Sequence, residues 1–585
     1  MSSSVQVDVA IIGGGPAGST VGTLLKKYNP YLNVLILERE KFPRDHVGES
    51  QLPFISRVLE EMEVWDQVEA AGFPIKIGAT YRWGKSDQLW DFEFIRDGQF
   101  DPVQRPSSYV GQRLETAFQV DRAIYDEILL NHTASVGCDV RQETEVLEVL
   151  HEGDRVTGLR IRGTGADAEE ILVEARHYVD CSGYAGCLRK TLGINVEEPT
   201  LLKNIAIWDY WQDAEWPVTL GIEGTRIQIL SLGYGWLWFI PLGNGRTSVG
   251  LVVPARYYKE RGVRPAQLYK EALSNDKIVT HLLRNATQED TLRSTKDWSF
   301  LAERVAGKNW FIAGEAAGFA DPILSAGMSL AHKNARDVAY SILELDRGEI
   351  DAKWLKEQYD TSTRRGITQH IRFADFWYSQ NGQFSDLKDY AREISQDAGL
   401  NMTSEEAWRW LGTGGFIDNT SQTDVAGFAF FITKNITASF LEEDVDYKIF
   451  GYTHFRLDLV GAKEAWIANY HEGKIHRSPC YVRGDKQLPM LGICGFLAHG
   501  LSQERSAGQI IGAVEKFRSD PANMSREDAE NVPRMVIETL EALVLDGWVI
   551  GRAIEGFRPW PKFNLSYEQF MHENRDVSQL LSENV

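Results

Sequence analysis

Three glycines and one glutamate near the start of the chain have the spacing of a phosphate-binding turn. Gly13, Gly15 and Gly18 fill a GxGxxG pattern. The pattern follows the apolar run Val7–Ile12. Glycine suits these positions because the chain must turn sharply, bring its backbone close to a pyrophosphate, and let the next helix pack on the strand. Glu38 follows twenty residues after Gly18, where a carboxylate would accept hydrogen bonds from ribose hydroxyls. The pattern predicts dinucleotide binding rather than an ordinary strand-to-helix turn.

A lysine and two tryptophans form a second group whose residue types are suited to chemistry. Lys76 lies between Ile75 and Ile77, and burial among such neighbours lowers the pKa of a lysine and favours its neutral, nucleophilic amine. The alternative is a surface lysine that buries only its aliphatic stem. Trp236 and Trp238 are two residues apart and would share one face of a strand. They form either an ordinary core pair or the wall of a reaction cavity.

Alternating strands and helices must position these groups. The predicted helices are Ser19–Tyr28, Leu52–Ala71, Gln112–Leu130 and Met328–Leu345. The predicted strands are Val7–Ile12, Val34–Leu37, Thr80–Trp83, Val140–Leu150, Arg155–Ile161, Tyr178–Gly183 and Trp310–Ala313, with Lys76 just ahead of the third. The aromatic-rich stretch Ile205–Val252 predicts an antiparallel sheet that faces the substrate. Together the elements predict an α/β protein.

The composition limits the class of protein. The chain has 585 residues, of which 43% are hydrophobic and 25% charged, as in soluble globular proteins. A net charge of −21 disfavours nucleic acid and anionic membranes as partners. Five cysteines without a CxxC pair predict reduced thiols, a cytoplasmic protein and no metal site. The first residues lack a signal-peptide pattern, and no apolar run reaches the length of a membrane span.

Four motifs together make the chain resemble the flavin-dependent halogenases. They are the glycine pattern at 13–18, Gly48-Glu49-Ser50, the WxWxIP sequence at 236–241, and Asp321-Pro322 followed by Ser325-Ala326-Gly327. The resemblance covers residues 1–345 well. It continues more weakly to the end, where the C-terminal domain is similar in length to that of the chloramphenicol-pathway halogenases.

This resemblance implies a fold and a division into domains. The fold is an α/β, FAD-binding monooxygenase type (glutathione-reductase-like), with an antiparallel substrate-facing sheet and a mostly helical C-terminal domain. Residues 1–350 would form the FAD-binding core, with the antiparallel layer at about 200–300. Residues 351–420 would be a helical connector, and residues 421–585 the C-terminal domain.

The resemblance also implies a reaction. Reduced FAD and O2 would form a flavin C4a-hydroperoxide, from which chloride or bromide takes oxygen to give hypohalous acid. Lys76, in the sequence KIGATYRWG at 76–84, matches the family's catalytic lysine. It would hydrogen-bond the oxidant or become a haloamine that halogenates the substrate. Trp236 and Trp238 match the residues that separate flavin from substrate, and they complete the expected catalytic set.

A larger set of residues is expected to bind the cofactor and the halide. The residues expected to contact FAD are Gly13, Gly15, Ala17, Gly18, Glu38, Arg39, Gly48, Glu49, Ser50, Gln119, Arg122, Asp297, Glu315, Asp321, Gly327 and Met328. Ser325, Ala326 and Gly327 precede a predicted helix whose free N–H groups would bind the halide. Asp297, in DWSF, is similar to an aspartate that forms an ester with the flavin 8α-methyl group. The alternative for Asp297 is a solvated carboxylate.

Two positions depart from the family pattern. The tryptophan-halogenating branch has a glutamate where this chain has Leu324. This difference favours phenols, pyrroles or acyl groups, free or tethered to a carrier protein, over free tryptophan. Glu315 stands where the family has the aspartate that holds the ribityl chain, and its longer side chain changes the position of that oxygen.

The expected partners and the competing functions follow from the same comparison. No second GxGxxG pattern is present, so a separate flavin reductase would supply the reduced FAD. The predicted function is an FADH2-dependent halogenase of natural-product biosynthesis. One alternative is an FAD-dependent monooxygenase that hydroxylates or epoxidises its substrate, because the same fold serves both reactions. Another is a catalytically silent flavin-binding scaffold, which only Glu315 and Ala326 support.

Overall fold

The architecture is taken from a computed structural model of the chain. The structure describes residues 4–83, 89–95, 100–101, 103–163, 169–200, 203–216, 224–296, 299–379, 448–484, 486–518, 536–537, 539–544, 546–560 and 571–573. The described chain mixes strands and helices, which confirms the predicted α/β class. No helix within these ranges combines the length and the apolar character needed to cross a membrane.

The strands of the described residues alternate with helices in the order expected of an α/β protein. In chain order the strands are β1 (Ser4–Ile12), β2 (Val34–Leu37), β3 (Ile75–Arg82), β4 (Trp90–Glu93), β5 (Ala117–Phe118), β6 (Asp139–Arg141), β7 (Thr144–Glu152), β8 (Arg155–Gly163), β9 (Ile171–Asp180), β10 (Val196–Glu197), β11 (Asn204–Gln212), β12 (Gly224–Ser231), β13 (Trp236–Gly243), β14 (Arg246–Pro254), β15 (Thr287–Gln288), β16 (Arg293–Lys296), β17 (Phe300–Ala302), β18 (Trp310–Ile312), β19 (Gly318–Phe319), β20 (His454–Leu457), β21 (Lys463–His471), β22 (Lys474–Arg483), β23 (Lys486–Pro489), β24 (Arg505–Ser506), β25 (Val549–Arg552) and β26 (Met571–Glu573).

The helices fill the connections between these strands. In chain order they are α1 (Pro16–Tyr28), α2 (Pro53–Glu61), α3 (Trp65–Ala70), α4 (Arg122–Ser135), α5 (Cys187–Thr191), α6 (Ala255–Arg261), α7 (Pro265–Asn275), α8 (Lys277–Leu282), α9 (Gly327–Arg347), α10 (Ala352–Ser379), α11 (Gly492–Gly500) and α12 (Ala507–Arg518). Short 3-10 helices occupy Gly111–Glu115, Gly183–Ala185, Gly314–Ala316, Pro322–Leu324 and Lys448–Gly451. Residues 536–537 and 539–544 are also helical.

The first sheet carries the glycine-rich turn. Its strand order is β6–β2–β1–β9–β8–β7, with β18 beside β9. Strands β6, β2, β1, β9 and β18 run parallel, whereas β9, β8 and β7 form an antiparallel meander. Since parallel strands end at one edge of a sheet, the segments after β1, β9 and β18 meet there, where ligands of such sheets bind.

The second sheet carries the lysine and the tryptophans. Its strand order is β15–β11–β14–β13–β12–β3–β4–β26, with β16 beside β11 and β5 beside β3. Its strands are antiparallel except for the pair β12 and β3. One face buries Leu237, Phe239 and Val249 against Leu268 of α7 and Leu282 of α8. The tryptophan side chains lie on the other face, as the alternation along β13 requires.

The chain divides into two compact units. The first contains residues 1–385, 470–475 and 568–585, and the second contains residues 386–469 and 476–567. The second unit has its own core, in which Phe455, Leu488, Leu540 and Trp548 are buried. The described part of residues 421–585 contains strands as well as helices, so it is mixed rather than mostly helical. The predicted boundaries at 350 and 420 stay predictions, and residues 380–447, which hold most of the predicted connector, lie outside the described residues.

Several predicted elements differ from the structure in detail. The helix predicted over Gln112–Leu130 is wrong, because β5 interrupts it and α4 starts only at Arg122. The helix predicted over Leu52–Ala71 is divided into α2 and α3, with Glu63 between them in a left-handed conformation (φ 62°). Lys76 lies within β3 rather than ahead of it. Periodicity alone could not find a two-residue strand, since its pairing with β3 supplies the hydrogen bonds that define it.

Candidate active site

The turn between β1 and α1 leaves no room for side chains at two of its glycines. A Cβ atom on Gly18 would lie 1.9 Å from the carbonyl oxygen of Gly13, and one on Gly13 would lie 2.3 Å from the carbonyl oxygen of Cys181. Gly13 also has a φ of 101°, which disfavours other residues. No side chain caps the start of α1, where Gly15 is the N-cap residue. The helix therefore presents backbone N–H groups and a partial positive charge to an anion.

Glu38 is held in place by two backbone donors. Its Oε2 accepts a hydrogen bond from the N–H of Gly14 at 2.8 Å, and its Oε1 accepts one from the N–H of Glu40 at 2.9 Å. The carboxylate is thus fixed beside the glycine-rich turn, with lone pairs left for a hydroxyl ligand. Arg39, in contrast, is exposed and pairs with Glu40, so the structure does not gather it with the other predicted residues.

An arginine that the sequence analysis did not single out stands next to this turn. A Cβ built on Gly15 would lie 3.4 Å from Nη2 of Arg44. The guanidinium lies over the ring of Phe42, 4.7 Å from its centroid, and 3.7 Å from the carboxylate of Asp126. A cation at this distance from the glycine backbone suits a pyrophosphate. The loop sequence alone contains three basic residues close together (Arg39, Lys41 and Arg44) and gives no signal to choose among them.

Arg122 fixes the loop that carries the GES motif. Its Nε and Nη2 donate to the carboxylate of Asp126 at 2.7 and 2.9 Å. Its Nη1 donates to the carbonyl oxygens of Val47 and Gly48 at 3.0 and 3.2 Å. The structure thus brings Arg122 and Gly48 together by a direct hydrogen bond between the two residues. Gly48 needs to be glycine here, since its φ is 101°.

Glu49 is a buried carboxyl group at the middle of the GES motif. The hydroxyl of Tyr210, on β11, donates to its Oε1 at 3.1 Å. Burial raises the pKa of Glu49 to about 7, although Tyr210 and Arg122 act in the opposite direction. Its carboxyl group can therefore exchange a proton near neutral pH.

Gln119 lies beside the same motif. Its backbone forms a β-bridge with Ser50. Both polar atoms of its amide are buried and have no hydrogen-bond partner within the part of the chain that the structure describes. Buried polar atoms rarely stay unpaired, so this amide is a group that a bound ligand would satisfy.

Lys76 is buried at the start of β3. The residue is 2% exposed, and its Nζ donates a hydrogen bond to Oγ of Ser50 at 2.7 Å. The ammonium also lies 5.5 Å from the ring centroid of Phe94. Burial lowers the pKa of Lys76 to about 7, so much of the amine is neutral at physiological pH. Lys76 is thus more completely buried than the sequence predicted, and the alternative of a surface lysine is wrong.

The two tryptophans of the WxWxIP sequence stand on one face of β13, as predicted. The ring centroids of Trp236 and Trp238 are 5.9 Å apart, and both rings are buried. Nε1 of Trp238 donates to Oγ of Ser248 at 3.1 Å. Trp208 packs against Trp238 with centroids 6.4 Å apart. A Cβ on Gly250 would lie 2.1 Å from the Trp238 ring, so this glycine makes room for the indole.

Tyr378, in the last turn of α10, joins Trp236 to Asp321. Nε1 of Trp236 donates to the hydroxyl of Tyr378 at 2.7 Å, and that hydroxyl donates to Oδ1 of Asp321 at 3.0 Å. Asn204 of β11 contacts the other carboxylate oxygen at 3.3 Å. Burial raises the pKa of Asp321 to about 7. Tyr378 was missed by the sequence analysis, since an isolated tyrosine in a polar helix carries no motif.

The segment before α9 offers a second open helix start. Ser325 adopts a left-handed conformation with a φ of 55°, and Ala326 is the N-cap residue without a side-chain cap. The helix starts at Gly327, one residue earlier than predicted, and Met328 is buried in its first turn. Its free N–H groups suit an anion or the electron-rich edge of a reduced ring. The backbone geometry thus allows the predicted halide contact, which stays a prediction.

Glu315 and Asp297 complete the predicted set. Glu315 lies in the short helix after β18, and burial raises the pKa of its carboxyl group. Its Oε2 is 3.6 Å from where a Cβ of Gly183 would be, at the end of β9. The structure therefore brings Glu315 to the edge where the parallel strands end. Asp297 lies outside the described residues, so its ester link to flavin stays a prediction.

Thr225 is a further residue that the sequence gave no reason to select. It pairs with Lys76 across β12 and β3. Its hydroxyl is buried and has no hydrogen-bond partner among the described residues. A hydroxyl in this position is available to a ligand that approaches the lysine.

These groups fit FAD. The side-chain-free turn and the open start of α1 suit a pyrophosphate, Glu38 suits a ribose, and the unpaired amide of Gln119 suits a polar ring edge. A model for the FAD binding domain matches residues 6–374 of the chain, which is well over half of it. The fit of the residues and the family match agree on the same cofactor.

Comparison with known proteins shows that several relatives of the chain are halogenases. The chain is 31% identical over 398 residues to a flavin-dependent halogenase, ptaM, of Pestalotiopsis fici, covering 63% of this chain and 69% of that protein. It is 29% identical over 393 residues to the 1H-pyrrole-2-carbonyl-[peptidyl-carrier protein] chlorinase of Pseudomonas fluorescens, covering 65% and 85%. It is 30% identical over 354 residues to the tryptophan 2-halogenase of Chondromyces crocatus. That match covers 60% of this chain and spans 64% of the length of that relative.

Solved structures show the same fold. The myxobacterial chondrochloren halogenase CndH matches with a TM-score of 0.59 and 28% identity, covering 73% of this chain and 97% of that one. The flavin-dependent halogenase CmlS matches with a TM-score of 0.71 and 24% identity, covering 96% and 98%. The second match extends the shared fold over nearly the whole chain.

Proposed function

Because the chain belongs to the flavin-dependent halogenases, within the FAD binding domain family, we propose that it uses reduced FAD, O2 and chloride or bromide to halogenate an activated organic substrate. The observation that carries this proposal is the buried amine of Lys76, which Ser50 holds near the tryptophan face of the second sheet. The amine has no acidic partner among the described contacts, and its pKa of about 7 leaves it substantially neutral. A neutral buried amine is the form that accepts an electrophilic halogen.

The proposal gives each of the protein's groups a role that its position supports. When bound, reduced FAD would supply two electrons to O2 and the halide two more, so that hypohalous acid and water form. The backbone N–H groups at the start of α9 hold the halide. The amine of Lys76 attacks hypohalous acid, so that an N–halogen bond forms and water leaves. The haloamine then passes the halogen to an electron-rich carbon, which releases a proton and restores the amine.

The tryptophans would keep the substrate apart from the flavin. Trp236 and Trp238 are fixed by hydrogen bonds to Tyr378 and Ser248, so neither ring turns aside easily. A wall of this kind disfavours direct transfer of oxygen to the substrate. This role distinguishes the proposed reaction from the hydroxylation or epoxidation that the same fold supports.

The substrate we propose is a phenol, a pyrrole or an acyl group in natural-product biosynthesis. One relative acts on a pyrrole that a peptidyl-carrier protein holds, so a tethered substrate belongs to the proposal. Leu324 replaces the glutamate of the tryptophan branch. Since another relative is a tryptophan 2-halogenase, free tryptophan belongs among the compounds assayed. The sparse cysteines fit a cytoplasmic enzyme, and a separate reductase would supply its FADH2.

The test is halogenation of a trap by the wild type and by Lys76→Met. The purified chain is incubated with FAD, a flavin reductase, NADH, O2 and bromide, with monochlorodimedone or a phenol as the trap. We expect brominated trap from the wild type, its loss in Lys76→Met, and continued hydrogen peroxide formation in both. Lys277→Met, which removes an exposed lysine of α8, is the matched control. Oxygenated trap formed without halide would favour the monooxygenase instead. FAD binding with no product, and with no hydroperoxide absorbance when the reduced enzyme meets O2, would favour the silent scaffold.

A further inference from the structure

The strand that carries Lys76 contains one residue more than its neighbour. Along the parallel pair β3 and β12, Lys76 pairs with Thr225. The next pair joins Gly78 to Arg226, so Ile77 is an extra residue and forms a β-bulge. Side chains alternate between the two faces of a strand, and an extra residue reverses that alternation. Without the bulge, Lys76 would lie on the same face as Gly78.

The bulge turns Lys76 toward the tryptophan face of the sheet. Tyr81 and Trp238 both pair with Ile229, so these three side chains share one face. Lys76 pairs with Thr225, which lies four residues before Ile229 on β12 and so shares its face. The Lys76 amine lies 5.5 Å from the ring centroid of Phe94. The reactive amine therefore depends on an irregularity of the strand rather than on its regular geometry.

On the opposite face, a buried ion pair crosses β3 directly over Gly78. Arg226 and Glu93 stand on the two strands that flank β3, and each pairs with Gly78 in register. Nη2 of Arg226 donates to the carboxylate of Glu93, and the two residues are 3% and 2% exposed. They can meet there because Gly78 has no side chain. Nη1 of Arg226 also lies 3.3 Å from the carboxylate of Asp91, which accepts a hydrogen bond from Thr80 at 2.6 Å.

We propose that the Arg226–Glu93 pair is a positioning device for Lys76. It ties β12 to β4 at the first residue pair after the bulge and so fixes the register in which Lys76 faces the tryptophans. Loss of the bulge would place the Lys76 ammonium beside the Arg226 guanidinium on one buried face, where like charges repel. The pair thus holds the productive register and makes the alternative costly. The inference rests on the proposed role of Lys76.

The charge around Lys76 agrees with this arrangement. Burial is the cause of its lowered pKa, and among the described residues neither Arg226 nor Glu93 contributes to it. If the amine lay on the same face as the ion pair, the charges of Arg226 and Glu93 would both shift its pKa. The buried pair is also a costly feature for stability alone, since apolar residues of similar size often replace such pairs without loss.

The test removes the pair in two independent ways. The double variant Arg226→Met, Glu93→Leu replaces both charges with apolar side chains of similar size. Gly78→Val keeps both charges but puts a branched side chain between them, and valine is itself favoured in strands. We expect each to lower trap halogenation about ten- to hundredfold, because a displacement of about 1 Å is enough for such a loss. Oxidation of reduced flavin and release of peroxide should continue.

A second measurement reports on Lys76 without relying on halogenation. Trace acetylation with acetic anhydride across pH, followed by mass spectrometry of the Lys76 peptide, gives the pKa of this amine. The wild-type profile should rise near pH 7, the value that burial imposes. In both variants the profile should move to higher pH, because an amine released from its buried position regains water. Arg82→Met is the matched control, since Arg82 pairs with Asp276 from the same strand but lies beyond the bulge.

The outcomes separate the two proposals. If both variants halogenate the trap at the wild-type rate and their Lys76 acetylation profiles are unchanged, the positioning role is wrong. No halogenation by the wild type, with a shifted profile in the variants, would overturn the halogenase proposal and retain the positioning role. If the double variant loses its folded thermal transition, Gly78→Val alone carries the test, because it keeps both charges and separates the two side chains. An unaltered acetylation profile in Gly78→Val would then count against the proposal.

Discussion

At the scale of single residues, Lys76 shows how burial prepares an amine for chemistry. The ammonium loses its hydration inside the protein, and a hydroxyl at 2.7 Å does not replace it. The pKa therefore falls to about 7 from its usual value near 10.5. Sequence context predicted the direction of this change from the two flanking isoleucines. It could not predict Ser50, which is 26 positions away and meets Lys76 only through the fold.

The pH dependence of halogenation follows from this pKa. If the neutral amine reacts with hypohalous acid, halogenation should increase as the pH rises through about 7 and level off above it. A lysine that acts on the oxidant as a charged hydrogen-bond donor needs its extra proton, so that role predicts a decrease over the same range. Initial rates of trap bromination, with chemically reduced FAD supplied in excess, distinguish the two. A falling profile would contradict the haloamine route.

At the scale of elements, the close packing of the glycine-rich turn leads to a prediction about stability and cofactor binding. Gly18→Ala would place a methyl group 1.9 Å from the Gly13 carbonyl oxygen, which the backbone can relieve only by moving α1 off β1. We expect a loss of FAD retention and a lower melting temperature. Gly366→Ala, within α10, meets only Leu330 at 3.8 Å and should raise stability by about 0.5–1 kcal/mol through helix propensity. Equal retention of FAD in both variants would contradict this account.

Helix α10 contributes to the site through its final turn, and this gives a second prediction at the same scale. Tyr378→Phe removes the hydroxyl that links Trp236 to Asp321. One hydrogen bond is worth about 0.5–1.5 kcal/mol, so halogenated product per flavin oxidised should fall about two- to tenfold. FAD binding should persist, since the tyrosine ring remains. The ratio of brominated trap to peroxide measures the effect. An unchanged ratio would show that the tryptophan wall does not depend on α10.

The elements also show where sequence reasoning succeeds and where it fails. The strand, turn and helix at 7–28 were predictable, because three glycines after an apolar run satisfy local requirements that no distant contact alters. The region 112–130 was not, because β5 exists only through its pairing with β3. Tyr378 was equally hidden, since it lies 57 positions from Asp321 and 142 from Trp236. Motifs therefore revealed the candidate site residues, whereas the residues that support them could be identified only from the structure.

At the scale of the whole molecule, the sequence contains one dinucleotide-binding pattern, and the proposed reaction needs electrons from another protein. The chain contains a single GxGxxG pattern, and that pattern opens α1 beside Glu38. A dinucleotide site needs its own strand, turn and helix, and the one present is assigned to FAD. Binding of a nicotinamide cofactor would require a second such unit or an equivalent surface. The proposed division of labour is a reductase that makes FADH2 and this chain that consumes it.

The corresponding prediction concerns the source of the electrons. Purified chain with FAD and NADH should oxidise NADH no faster than a mixture without protein, and addition of a flavin reductase should start both NADH oxidation and trap halogenation. FAD reduced by light or dithionite should support one round of halogenation with no reductase present, because the chain needs only the reduced cofactor. NADH oxidation by the chain alone would contradict the proposed partner. Failure with chemically reduced FAD, when the coupled system succeeds, would instead indicate that the reductase must deliver FADH2 directly.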